Sequence, residues 1–268
     1  DGLWSAIPLW GLAGVGFAGA YMPGLKALTD RLPPGETSRS ITFYTSSYSF
    51  GVGLSFLVSQ VAADQFGWRA AFLITGLGPL VMIATCLALP AVQPLRSRRR
   101  LLDFRPVFRN RPALGYVLGY GAHCFELYGM RTWIVAFWSF VVAQNGGAAI
   151  LSPVAVSVMV TVLAMPASIF GNEAAIRFGR HRAITAVMVA SAAMLLALSA
   201  STTLSPALLL ALVLVHAITI NGDSGALTSG MTTRADPAHR GATMALHSSV
   251  GFGMSALGAW ATGLALDA

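Results

Sequence analysis

The stretch LRSRRRLLDFRPVFRNRP, residues 95–112, places seven arginines between two long apolar segments of the chain. So many charges need water or anionic lipid headgroups around them, whereas the flanking segments carry almost none. Over all 268 residues, 55% of the side chains are hydrophobic and 10% are charged, against about 25% charged in an average soluble domain. The composition predicts an all-α polytopic membrane protein in which this stretch connects two membrane spans.

Eight apolar runs are long enough to cross about 30 Å of hydrocarbon at about 1.5 Å per residue. The breaks between them carry turn residues, for example Asn145-Gly146-Gly147 and Asp236-Pro237. The predicted spans are 3–25, 40–61, 69–90, 112–142, 152–171, 183–201, 206–229 and 241–265.

The basic residues follow the positive-inside rule, by which cytoplasmic connections carry the excess of Lys and Arg. All of them except Arg69 and Arg131 lie in the connections after the first, third, fifth and seventh spans. The first span therefore runs inward, and we expect a monomeric, multi-pass protein of the plasma membrane (a bacterial inner membrane). Its basic loops would contact anionic headgroups. Nucleic acid is disfavoured as a partner because no long basic face carries interleaved aromatics.

Two polar connections resemble each other: TDRLPPGETSRSITFYTSS, residues 29–47, and TTRADPAHRGATMALHSS, residues 232–249. Each joins an inward-running span to an outward-running one, and the two lie six spans apart. A six-span repeat in one orientation predicts a twelve-span parent made of two parallel halves. The matched pairs are Thr29 with Thr232, Arg31 with Arg234, Pro34 with Pro237, Arg39 with Arg240, Thr42 with Thr243 and Ser47 with Ser248.

The stretch GNEAAIRFGRHR, residues 171–182, resembles the second signature loop of the major facilitator superfamily, a Gly-x-Leu-Ala-Asp-Arg-x-Gly-Arg-Arg pattern. Arg177, Gly179 and Arg180 match the pattern, and the resemblance implies that they form a gating loop. The departures are Asn172 for the first glycine, Ile176 for the acid and His181 for a basic residue. GWRAAF, residues 67–72, is also similar to the family's entry to its sixth helix.

The resemblance covers the whole chain and implies a fragment that holds the family's fourth to eleventh helices. Residues 1–90 would be the last three helices of the N-terminal bundle, 91–111 a cytoplasmic basic linker, and 112–268 the first five helices of the C-terminal bundle. The sequence departs from the family in two places. The fourth-helix pattern, Arg followed four residues later by Gly, reads Trp10 to Gly14, so the proton-linked arginine is absent or displaced. GVGLS at 51–55 lacks the Gly-Pro pair of the antiporters. Drug/proton antiport is therefore unsupported.

One predicted span contains YGAHCFELYGMR, residues 120–131, in an otherwise apolar run. Charges within spans cost at least about 2.5–3.5 kcal/mol each on insertion scales, and they usually face a cavity. On a helical wheel, Tyr120, His123 and Arg131 share one face with Glu126 at its edge. We expect a polar stripe along a central pathway. The structural alternative is a latch between Glu126 and His123 or a neighbouring helix, with Arg131 reaching the outer headgroups.

The seventh span places His216 near the membrane midplane, with Asp223 about two turns later on the same face. The resemblance implies that His216 faces His123 at a similar depth, because the family's seventh and tenth helices line one half of the cavity. Histidine titrates near neutrality. Proton coupling through His123, Glu126 and His216 is therefore a hypothesis, and a contact between Asp223 and a loop arginine is the structural alternative for that acid.

Tyr44, Tyr48 and His247 are further candidates for the path lining, although polar side chains also hold membrane helices together. We expect no metal or cofactor. The predicted function is secondary active transport of a small solute by alternating access, with an organic or inorganic anion favoured by the His, Arg and Tyr residues. The alternatives are a membrane-embedded enzyme, disfavoured because the acids are dispersed, and a non-transporting sensor of the same fold.

Overall fold

The computed structural model describes residues 2–33, 37–90, 103–147, 150–200 and 204–266, and within them every regular element is a helix. This confirms the all-α prediction. The helices are α1 Leu3–Thr29, α2 Thr37–Phe66, α3 Trp68–Thr75, α4 Leu77–Ala88, α5 Arg105–Arg109, α6 Arg111–Gln144, α7 Pro153–Phe178, α8 Arg180–Ser199, α9 Pro206–Asn221, α10 Ser224–Arg234 and α11 Arg240–Leu266, with a short 3-10 helix at Pro237–His239.

Each predicted span corresponds to one helix or to two consecutive ones. The third is divided at Gly76 into α3 and α4, and the seventh is divided at Gly222 and Asp223 into α9 and α10. Several helices run past the predicted span ends, for example α6, which covers Arg111–Gln144 where the sequence predicts 112–142.

Six segments of the described chain are long and apolar enough to cross a membrane. They are α1, α3 with α4, α7, α8, α9 with α10, and α11 with the 3-10 helix. The remaining long helices, α2 with 30 residues and α6 with 34, are not among these six segments. Their crossing of the membrane, and with it the count of eight spans in a twelve-helix fold, stays a prediction.

The ends of α6 are set by local turn chemistry. At its start, the Asn110 side chain accepts a hydrogen bond from Ala113 N at 3.2 Å and donates one to Arg234 O at 2.8 Å. At its end, Gly146 and Gly147 adopt φ angles of 67° and 83°, the region that favours glycine. The predicted turn is therefore confirmed.

Asp236-Pro237 starts the 3-10 helix, because the Asp236 carboxylate accepts from Ala238 N at 2.9 Å. Two predicted features lie outside the described residues: the part 91–102 of the basic linker and Pro34 of the repeat. The division into N-terminal and C-terminal bundles stays a prediction.

Small residues allow the closest helix contacts, as expected for membrane helices. The helices α6 and α11 pack along each other, and α2 packs against both α7 and α10. Gly258 of α11 lies against the carbonyl of Phe125, and Gly171 of α7 lies against the carbonyl of Gly222. The second contact holds α7 against the break between α9 and α10, where Asp223 is located.

Gly171→Ala is expected to lower the thermal unfolding midpoint of the purified protein, because its Cβ would overlap the Gly222 carbonyl oxygen. Overpacking of this kind costs about 1–3 kcal/mol. Gly11→Ala is the matched control, since nothing lies within 4 Å of a Cβ built at that helical position. Equal midpoints for the two variants would contradict the close approach of α7 to the break.

Candidate functional site

The break between α9 and α10 places a carboxylate inside the helix bundle. Asp223 immediately precedes α10, and its backbone carbonyl accepts a hydrogen bond from Leu227 N at 2.8 Å. The residue is only 3% exposed. Its Oδ1 lies 2.8 Å from Nδ1 of His123 on α6, which is also 3% exposed. The 2.8 Å distance is that of an ion pair without hydrogen-bond geometry, since neither atom has a hydrogen-bond partner among the described residues. The contact is favourable when His123 carries a proton, because an unpaired buried charge is costly.

The structural alternative for Asp223, a contact with a loop arginine, is therefore wrong, because the carboxylate contacts His123. The turn at Gly222 and Asp223 directs the carboxylate toward α6 and away from the arginine-rich connection at the end of α10. The hydropathy of the seventh span predicts one continuous helix. The available signal for a break was the Asn221-Gly222 dipeptide, which has the same turn chemistry as Asn145-Gly146.

Glu126 lies about one turn after His123 on α6 and contacts a different helix. Its Oε1 accepts a hydrogen bond of 2.7 Å from Ser191 Oγ on α8. Ser191 is buried, whereas Glu126 is half-buried. The two acids of this region thus contact different partners, Asp223 with His123 and Glu126 with Ser191 of α8.

Tyr120 connects the His123 contact to α11. Its ring stacks on His123 with the centroids 5.7 Å apart, and on His247 of α11 with the centroids 3.9 Å apart. Gly251 permits this approach, because a Cβ there would overlap the Tyr120 ring. Nε2 of the fully buried His247 lies 3.4 Å from Thr228 Oγ1 on α10. The structure therefore joins α6, α10 and α11 through one buried row of polar rings.

His216 and Arg131 lie apart from this row. His216 is 1% exposed on α9, and neither of its ring nitrogens has a hydrogen-bond partner among the described residues. No hydrogen bond or ring contact between His216 and His123 occurs within that part of the chain. Arg131 is half-buried farther along α6, and its Nη2 likewise lacks a hydrogen-bond partner there.

A second set of polar contacts joins α2 to the ends of α7 and α8 that are predicted to face the cytoplasm. Nε and Nη2 of Arg39 contact the two carboxylate oxygens of Glu173 at 2.7 and 2.8 Å. Ser38 Oγ donates to Asn172 Oδ1 at 3.1 Å and accepts from Arg180 Nη2 at 2.9 Å. These contacts cross between the two predicted bundles.

The signature-loop residues have different surroundings. Arg180 contacts α2 through its hydrogen bond to Ser38. Arg177 is exposed, and its guanidinium lies 5.3 Å from the Phe178 ring centroid. Gly179, between α7 and α8, adopts a φ of 94°. Glu173, which sequence analysis missed, lies about one turn before Ile176, where the family pattern has its acid.

Asn172 was also missed, although its side chain is the centre of the cytoplasmic-end contacts. Its Oδ1 accepts from Ser38 on α2 and also from Ser229 on α10, each at 3.1 Å, and the residue is 1% exposed. The available signal was the substitution of an amide for glycine in the signature pattern. The Asn172 amide therefore connects α7 to α2 and α10 through hydrogen bonds.

Aromatic side chains line the interface farther from this end. Tyr48 of α2 and Tyr128 of α6 have hydroxyl oxygens 3.3 Å apart, and Tyr44 donates to the Tyr21 carbonyl of α1 at 2.7 Å. Next to them, α1 and α11 border a cavity of about 350 Å³, within the range of about 300–1,000 Å³ typical of small-molecule sites. Its lining includes Phe17, Tyr21, Ser248 and Phe252.

Comparison with known proteins gives one family. The family model described as the Major Facilitator Superfamily matches residues 1–259, nearly the whole chain. No solved structure matches the chain.

Proposed function

This chain belongs to the Major Facilitator Superfamily, and we propose that it works by proton-coupled alternating access. Family membership and the six apolar helices make it a multi-pass membrane protein and a secondary transporter of small solutes. Members of the family are transporters and not enzymes, which fits the expected absence of catalysis. The gate, the proton path and the class of solute are the proposal.

The gate is the set of contacts between α2 and the ends of α7 and α8. Alternating access requires two bundles to separate at one membrane face while they approach at the other. The pair Arg39–Glu173 and the hydrogen bonds of Ser38 with Asn172 and Arg180 hold the predicted cytoplasmic ends together. In this conformation the path is closed on that side.

The proton path centres on His123 and Asp223, and the 2.8 Å contact between these two buried groups is the observation that carries the proposal. Protonation of Asp223 removes its charge and frees His123 from the contact, so the pair has two arrangements that a proton gradient can bias. Glu126 and His216 remain candidates for passing the proton to and from the pair.

The solute is proposed to be a small organic or inorganic anion that reaches the cavity between α1 and α11. Support comes from the half-buried Arg131, whose Nη2 has no hydrogen-bond partner in the described part of the chain. The hydroxyl groups of Tyr48, Tyr128 and Ser248 lie at or near that cavity and can donate to an anion.

Glu126→Gln is expected to remove the stimulation of uptake by a proton gradient. Uptake is measured in cells that express the full-length protein, across organic anions, sugars and hydrophobic cations, with and without the gradient. Because a glutamine side chain cannot take up or release a proton, we expect the rate measured with the gradient to fall to the rate measured without it.

Ser191→Ala is the matched control for that variant. It removes the hydroxyl that contacts Glu126 but keeps the carboxylate, so gradient stimulation should persist. Stimulation of Glu126→Gln equal to that of the unmodified protein would exclude this carboxylate from the proton path.

A further inference from the structure

A second cavity, of about 590 Å³, lies between α6, α8 and α10 near their predicted cytoplasmic ends. Each of α6 and α8 contributes residues at three- and four-residue spacing, which form one face of a helix. On α6 the lining extends from Pro112 to Gly119, roughly 10 Å along the axis at about 1.5 Å per residue. The cavity thus runs from the membrane surface into the apolar region.

The lining changes from cationic to apolar along this direction. Arg234, the last residue of α10, and His181, the second residue of α8, lie at the predicted cytoplasmic end. Gly119, Met188 and Leu227 form the deeper wall, where Leu227 Cδ2 is 3.1 Å from a Cβ built at Gly119. The cavity therefore has a positively charged opening and an apolar floor.

The change from a charged opening to an apolar floor is complementary to one class of molecule that surrounds a membrane protein, the anionic phospholipid. Basic pockets between membrane helices on the cytoplasmic side bind anionic lipid headgroups, and an apolar floor accommodates the start of an acyl chain. We propose that the cavity binds one anionic phospholipid of the inner leaflet, with its phosphate at Arg234 and His181.

The site is separate from the proposed transport path. Its lining includes none of Tyr120, His123, Glu126 or Asp223. It adjoins the gate, because Tyr116 in its wall and Arg234 at its opening both interact with Arg180. Bound lipid would hold α8 and α10 together beside the signature loop. The proposed binding differs from the general attraction of lipids to the basic loops, because a single lipid occupies one defined cavity.

The test is native mass spectrometry of the purified protein after reconstitution in phosphatidylcholine nanodiscs with and without phosphatidylglycerol. The unmodified protein is expected to retain phosphatidylglycerol. A basic residue near the surface contributes about 1 kcal/mol to anionic-lipid binding, so Arg234→Gln should lower retention about fivefold. Gly115→Phe should also lower it by filling the cavity, since nothing lies within 4 Å of a Cβ built at Gly115.

Arg182→Gln is the matched control, because it removes one arginine charge from the start of α8, next to His181, but does not line the cavity. An equal loss of lipid in Arg182→Gln and Arg234→Gln would overturn the proposal in favour of general attraction. Unchanged retention in both Arg234→Gln and Gly115→Phe would also overturn it. Displacement of the lipid by inorganic phosphate alone would identify a free-anion site and would equally contradict lipid binding.

Discussion

A disulfide between cysteines placed at Ser38 and Asn172 is expected to stop transport completely and reversibly. The two side chains contact each other at 3.1 Å across the interface between α2 and α7. If alternating access requires these ends to separate, a covalent link traps the path closed on the predicted cytoplasmic side. Uptake is measured after oxidation and again after reduction, in a Cys86→Ser background because the native Cys86 is exposed.

The matched control uses the same Asn172→Cys change with Ser229→Cys on α10. This pair is also 3.1 Å apart, but both residues belong to the predicted C-terminal bundle. Its cross-link should leave uptake at the level of the reduced protein. If protein that is fully cross-linked between positions 38 and 172 transports at the reduced rate, the contacts of α2 with α7 are not the gate.

The sequence could predict elements whose signal is local. Apolar runs and turn residues predicted the segments now seen as helices, and the signature pattern pointed to Arg180, which reaches α2. These inferences succeed because hydropathy, glycine conformations and short motifs depend on neighbouring residues.

The sequence patterns could not predict contacts between residues that lie far apart in the chain. The hydropathy of the seventh span predicts one helix through Gly222, so the sequence placed Asp223 near the pathway, with a loop arginine as its structural alternative, and did not pair it with His123. Asn172 was noted only as a departure from the family pattern. Its role depends on Ser38 and Ser229, which lie 134 and 57 residues away. Such partners become visible only when the helices are packed.

Asp223→Ala is expected to be among the most destabilising single changes in the protein, and to abolish gradient-driven uptake. It leaves His123 buried without its acid, and the loss of one partner from a buried ion pair costs about 3–5 kcal/mol. Thermal unfolding of the purified protein measures the first effect, and uptake with and without a proton gradient measures the second. A small change in the unfolding midpoint would mean that the 2.8 Å contact contributes little to the fold.

The double variant His123→Leu with Asp223→Ala separates a structural role from a functional one. Replacing both members of a buried pair by apolar groups is often neutral or stabilising, so the double variant should recover much of the stability that Asp223→Ala loses. If the pair carries the proton, uptake in this stable protein will no longer respond to the gradient, since neither position can titrate. Gradient-driven uptake that returns together with stability would instead mean that His123 and Asp223 only hold α6 against the α9–α10 break. The proton path would then have to run through Glu126 or His216.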